Sequence, residues 1–152
     1  MNTIVSFTIN HDILQPGIYL SRVDGDVFTY DLRFVRPNTP PFMEQAAMHT
    51  LEHLFATIAR NSDKSDSVIY FGPMGCRTGF YLLTRGLRHG EVIELVIDTI
   101  NRCAVWEDEI PGAQKIQCGN WLEHDLPGAK ALAAGYARVI RQWTQDMLEY
   151  PQ

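Results

Sequence analysis

The sequence predicts an α+β fold in a single domain over residues 1–152, a mainly antiparallel sheet packed against about three to four helices. Three observations carry this expectation. The first third of the chain alternates apolar and polar residues with the two-residue period of strands, whereas three later stretches repeat at helical spacing. Strand-like and helix-like stretches follow one another without the regular alternation that builds parallel sheets. Finally, 152 residues, 45% apolar and 20% charged, suffice for one ordinary core. At this length neither a disulfide framework nor a structural metal is needed merely to hold the fold.

Taken in order, strands are predicted over residues 4–9, 18–23 and 27–35, the last two joined across Asp24-Gly25, a strong hairpin-turn pair. In the third strand Phe28, Tyr30, Leu32 and Phe34 alternate onto one face, so Thr29, Asp31 and Arg33 share the other. Pro40-Pro41 closes this region, and residues 44–61 read as a helix. A polar loop over residues 61–67 leads to two more strands, 67–72 and 78–84, around the turn Pro73-Met74-Gly75-Cys76. Over residues 91–106 the apolar positions Val92, Leu95, Val96, Ile100, Cys103 and Trp106 recur at helical spacing. Pro111-Gly112 opens an irregular segment that runs through Cys118 to Asp125. The last helix is predicted over residues 127–148, with Leu132, Tyr136, Val139, Ile140, Trp143 and Met147 on its apolar side, Pro127 in its first turn and Asp125 as its cap.

Charge and cysteine usage narrow the function classes. Thirteen Lys and Arg against eighteen Asp and Glu give a net charge of −5, and the basic residues are scattered, which argues against a nucleic-acid partner. No stretch approaches membrane-spanning length, and the N-terminus lacks a basic start followed by an apolar run, so a soluble, cytoplasmic protein is expected. Cys76, Cys103 and Cys118 are odd in number and far apart, as suits a reducing compartment where thiols act as ligands or acids.

The predicted helix over residues 44–61 carries the chemistry. At about 100° per residue, His49, Glu52, His53, Ala56 and Arg60 share one side, and Ala47, Leu51, Leu54, Phe55 and Ile58 the other. One face therefore packs while the other presents two imidazoles one turn apart with a carboxylate beside them, as a metal site requires. Two histidines at this spacing can also be a plain polar face; the intervening glutamate moves the balance toward metal. H-x-x-E-H is also the signature of inverted zinc metalloproteases, so the motif does not name a reaction. A third ligand must come from Cys76, Cys103, Cys118, His11, His89, His124 or a carboxylate. Cys103 lies on an apolar stripe, where a buried thiol is expected. His89, between Arg88 and Gly90, is expected as a solvated loop histidine. Cys118 sits beside Gly119, which lets the backbone approach closely, yet spacing does not decide between Cys118 and Cys76.

Five segments together resemble the S-ribosylhomocysteine lyase (LuxS) family, whose members release homocysteine and the precursor of autoinducer-2. They are Ser6-Phe7 with His11; Tyr30-Asp31-Leu32-Arg33-Phe34 with Pro37-Asn38; His49-Thr50-Leu51-Glu52-His53-Leu54; Pro73 to Tyr81, with Pro73-Met74-Gly75-Cys76 at its head; and Gln117-Cys118-Gly119 with His124-Asp125-Leu126. The resemblance implies a divalent metal in each subunit, ferrous iron in the native enzymes and often zinc after isolation, held by His49, His53 and Cys118. It implies proton transfer by Cys76 and Glu52, and substrate contacts from Ser6, His11, Arg33 and Arg60. It also implies a homodimer with two sites at the subunit interface, each using residues of both chains.

Residue chemistry supports the same assignment. A metal with an open position can polarise a sugar carbonyl. Cys76 can then serve as base for carbonyl migration along the ribose and Glu52 as acid–base of the β-elimination that expels the thiol. Cys76 needs to be a thiolate, and Arg33 is a better source of positive charge than Arg77, since adjacent side chains on an extended segment point apart. One departure stands out: family members usually read Asp-x-Ser-Pro-Met-Gly-Cys, whereas here Tyr70 replaces the carboxylate and Gly72 the serine. A phenol does not neutralise an ammonium as a carboxylate does. Two other readings follow, a diverged member acting on a related thioether or sugar and an inverted-motif metalloprotease.

Overall fold

The computed structural model describes residues 1–152, apart from the side chain of Val5. Four strands form one antiparallel sheet: β1 (Gly17–Asp24), β2 (Val27–Arg33), β3 (Val68–Pro73) and β4 (Gly79–Arg85), in the order β1-β2-β4-β3. Three helices accompany it: α1 (Gln45–Arg60), α2 (His89–Ala104) and α3 (Leu126–Ile140). This is the α+β class that the residue periods predict.

The β1–β2 hairpin closes across Gly25 and Asp26, with Asp24 paired to Val27. Ile18, Tyr30, Leu32, Phe71, Phe80 and Leu82 pack from the sheet against Leu51, Leu54 and Phe55 of α1 and against Val96 and Ile100 of α2. α1 packs on β3, α2 and α3, and α2 and α3 pack on each other. Its apolar side is the predicted one, with Ala47, Leu51, Leu54, Phe55 and Ile58 buried. Asp125 caps α3 by accepting the Gly128 N–H at 2.9 Å, with Pro127 in the first turn, as expected.

Several boundaries differ, each for a local reason. Residues 4–9 form no strand; Val5–Phe7 make a single 3-10 turn, closed by the Phe7 N–H to Ile4 O bond at 2.9 Å. The last helix stops at Ile140, because the chain turns there to lay Trp143 against β1, with Trp143 Nε1 donating to Ile18 O at 2.9 Å. Val139 and Met147 are accordingly exposed. α2 begins earlier than the apolar spacing shows: Glu91 accepts the Arg88 backbone N–H at 2.9 Å and so includes His89 in the helix. His89 is half-buried, not solvated, and its Nδ1 lies 2.8 Å from Tyr30 Oη.

One face of β2 also departs from the expected polar surface. Asp31 and Arg33 are 0% and 2% exposed and form an ion pair at 2.6 Å. The C-terminal segment covers them: Leu148 O accepts the Leu20 N–H at 2.8 Å, Tyr150 stacks on Tyr19, and Tyr150 Oη donates to Asp31 Oδ2 at 2.9 Å. Gly79 permits the tight β2–β4 pairing beside this pair, since a Cβ there would lie 2.5 Å from Leu32 O.

Candidate metal centre

The side chains of His49 and His53, one turn apart on α1, meet Cys118 and His124 from the segment between α2 and α3. The ligand atoms of these four residues all lie within 4.8 Å of one another. Cys118 Sγ is 3.3 Å from His49 Nε2, 3.9 Å from His53 Nε2 and 4.0 Å from His124 Nε2. The second nitrogen of each α1 histidine is spoken for by a carbonyl: His49 Nδ1–H donates to Glu123 O at 2.7 Å and His53 Nδ1–H to Pro111 O at 2.8 Å. A carbonyl only accepts, so both protons sit on Nδ1 and both Nε2 lone pairs point at the cluster.

The same bonds hold the segment in place. Thr50 Oγ1 accepts the Asp125 N–H at 2.9 Å and lies 3.0 Å from His124 Nδ1. Cys118 is set by a backbone turn in which its N–H and that of Gln117 both bond to Gln114 O. Gly112 has a φ of +71°, and a Cβ there would come within 3.2 Å of His53 Nδ1, so this bend against the imidazole calls for glycine. Burial, with His49 and His53 alongside, holds the His124 imidazole below its ordinary value and favours the neutral, ligating form. A soft thiolate and neutral imidazoles at these separations suit one borderline-soft divalent ion. The residues present therefore fit a metal.

Glu52 lies on the same helix, half-buried, and takes no hydrogen bond or ion pair among the described residues. Cys103 is buried in the core, and burial pushes its thiol up to about 12. The remaining expected site residues lie outside this cluster, and among the described residues only Arg33 and Cys76 of them are linked by hydrogen bonds, through Thr78. Cys76 is exposed at the β3–β4 turn, with Sγ 3.1 Å from Thr78 Oγ1, and Arg33 Nη1 donates to that same oxygen at 2.6 Å. His11 Nδ1 donates to Ile9 O at 2.9 Å, and its charge reaches Asp31. Ser6 lines a cavity of about 380 Å³ on the outer face of the sheet with Thr29, Tyr70 and Tyr81. Arg60 is exposed and donates to Ile69 O at 2.6 Å. Among the described residues no hydrogen bond or ring contact joins the Cys76 group to the histidine cluster within one chain.

The two departures around Pro73 prove to be one feature. Tyr70 and Gly72 point to the same side of β3, and the tyrosine ring lies across the space a Cβ on residue 72 would take. A tyrosine at 70 in this rotamer goes with a glycine at 72. Sequence reasoning named His124 only as one of several third-ligand candidates, and it missed Asp31, Thr78 and Tyr150 altogether. The spacing of Asp31 and Arg33 on one strand face was a usable signal for the pair; nothing local marks Tyr150.

A family model described as S-Ribosylhomocysteinase (LuxS) matches residues 4–147. Among curated relatives, the S-ribosylhomocysteine lyase of Phocaeicola vulgatus is 48% identical, covering 99% of this chain and 98% of its own. That of Clostridium beijerinckii is 46% identical over 99% of both chains. The Finegoldia magna enzyme of the same name is 44% identical over 100% of both. With a histidine and cysteine cluster suited to a metal and likeness that runs from end to end, the chain belongs to the S-ribosylhomocysteinase (LuxS) family.

Proposed function

We propose that residues 1–152 act as one catalytic domain, a lyase that cleaves the thioether of S-ribosylhomocysteine. The products are homocysteine and 4,5-dihydroxy-2,3-pentanedione, the precursor of autoinducer-2. The observation that carries this reading is the convergence of His49, His53, Cys118 and His124 in a chain of this family, with Glu52 next to His53 on α1. A divalent ion bound there, ferrous in the working enzyme and replaceable by zinc, supplies the Lewis acidity that polarises a sugar carbonyl.

Cys76, as a thiolate, takes the proton from the carbon next to the carbonyl and returns it to the former carbonyl carbon, while the hydroxyl proton beside it passes to the former carbonyl oxygen. The carbonyl thereby moves along the ribose from the first to the third carbon. Glu52 then removes the proton beside the new carbonyl, a carbon–carbon double bond forms, and the carbon–sulfur bond breaks with its electron pair leaving on the homocysteine sulfur, which takes up that proton. The enol left behind ketonises at its terminal carbon to the dione. Ser6, His11 and Arg60 are assigned to substrate, together with Arg33, which supplies positive charge beside Cys76.

Two copies of the chain complete each site. In support, no hydrogen bond, ion pair or ring contact joins the Cys76 group to the histidine cluster among the described residues, and Ile4 and Tyr70 leave apolar surface exposed around the cavity that Ser6 lines. Three unpaired cysteines suit work in the cytoplasm, and no helix is long and apolar enough to cross a membrane. The test is release of free thiol from S-ribosylhomocysteine by protein loaded with ferrous or cobaltous ion. The expected result is turnover that Cys76→Ala abolishes; no thiol from the loaded protein overturns the reading.

A further inference from the structure

Thr78 stands between Arg33 and Cys76, and the direction of its bond to Arg33 follows from chemistry. A guanidinium only donates and an ionised carboxylate only accepts. Arg33 therefore gives its Nε–H and Nη2–H to Asp31, at 3.1 and 2.6 Å, and its Nη1–H to Thr78 Oγ1 at 2.6 Å. At the far end Tyr150 Oη donates to Asp31 Oδ2 at 2.9 Å, which holds the carboxylate and so the guanidinium. Thr78 Oγ1 is thus an acceptor toward Arg33. Its one hydrogen is left over, and Cys76 Sγ lies 3.1 Å away, where a thiolate, which only accepts, would receive it.

The backbone fixes this placement. Thr78 is buried, and its carbonyl accepts both the Phe34 N–H at 2.9 Å and the Val35 N–H at 3.1 Å. Among the described residues no other group hydrogen-bonds to the Cys76 sulfur. The titratable groups that face it are Arg33 and, behind it, Asp31 from β2, and Tyr81 from β4; Tyr150 from the C-terminal segment and His11 from the N-terminal one reach Asp31.

We propose that Thr78 is a positioning residue that stabilises Cys76 as a thiolate, its hydroxyl aimed at the sulfur by the buried chain Tyr150–Asp31–Arg33. A hydrogen bond to the charged form of a group favours that form. This inference rests on the reading of Cys76 as the residue that carries protons, and it adds the residue that prepares it.

The test is alkylation of Cys76 by iodoacetamide, followed by mass spectrometry of its peptide so that Cys103 and Cys118 do not interfere. The readout is the ratio of the rate at pH 7 to the rate at pH 10, which cancels differences in access to the exposed sulfur. Thr78→Val keeps the shape of the side chain and removes the hydroxyl. The ratio is expected to fall about tenfold, the effect of one hydrogen bond to a charged atom. Thr78→Ser is expected to restore it.

An unchanged ratio in Thr78→Val, or a ratio in Thr78→Ser as low as in Thr78→Val, overturns the proposal. Should Thr78→Val fail to fold, the unsubstituted protein is compared with a free peptide of residues 73–80: a several-fold higher ratio in the protein is expected, and equal ratios overturn the proposal. Alkylation reads the thiolate without turnover. Absence of lyase activity with the expected alkylation pattern would therefore sink the proposed function and leave the role of Thr78 standing.

Discussion

Cys103 lies on the inner side of α2, where burial pushes its thiol from an ordinary 9.0 up to about 12. The sign of the consequence follows from linkage. The unfolded chain loses this proton near pH 9 while the folded chain keeps it, so the contribution to stability is present in full below pH 9 and is lost between pH 9 and about 12. Tyr30, pushed by burial up to about 12, adds to the same alkaline loss. Replacing Cys103 with valine, of similar volume, removes one of the two groups. Urea unfolding at pH 8 and pH 10.5 is expected to show a loss smaller by about 2 kcal/mol in Cys103→Val than in the unsubstituted protein. Equal losses would remove the argument. The histidines of α1 make a different point at this scale: their Nδ1 protons are pinned by carbonyls 58 and 74 positions away, so each imidazole is prepared as a ligand by backbone from a distant segment.

At the scale of elements, β4 and β3 each carry a glycine that faces a neighbour, and the neighbours differ in what they can concede. A side chain at Gly79 meets the backbone of β2 at Leu32 O and Arg33, which the sheet pairing holds still. A side chain at Gly72 meets the ring of Tyr70, which is 51% exposed and free to swing away. Gly79→Ala is therefore expected to cost about 1–3 kcal/mol, as overpacking does. Gly72→Ala should stay within about 0.5 kcal/mol, the usual range of surface changes. The comparison of urea midpoints checks both, and equal costs would show that the β2–β4 spacing adjusts.

The periods that define β1, β2 and α1 were legible in the sequence because the apolar residues of each line one side, as Tyr30 and Leu32 do on β2. Residues 4–9 carry similar apolar alternation but pair with no strand, and the last helix was read too long because Trp143 and Met147 continue its spacing after the chain has turned. That His49 and His53 share one face of α1 was readable from helical geometry alone. What closes the site was not: Cys118 and His124 arrive through a segment with no period, and the burial of Asp31 and Arg33 depends on Tyr150, 119 positions from Asp31.

In the whole molecule the histidine and cysteine cluster stands on α1 and the segment between α2 and α3, and the Cys76 group at the β3–β4 turn. If two chains build each site, sedimentation shows a dimer, and a mixture of Cys76→Ala and Cys118→Ala chains regains activity. In such a mixture about half the dimers are hybrids, each with one intact site of two, so about a quarter of the full activity per chain is expected. No recovery on mixing, with each variant folded and dimeric, would place a complete site within one chain.

The joining of α1 to the segment around Cys118 also has a topological consequence. His49 and Cys118 stand 69 positions apart, so a single ion gripping both closes a long loop of chain. By the chain-entropy model of a cross-link, such a closure disfavours the unfolded state by about 4 kcal/mol. The core is large enough to form without it. An ion bound there would in that respect be a staple, doing for this chain what its three unpaired cysteines do not, and one that opens to a chelator where a disulfide opens to a reductant.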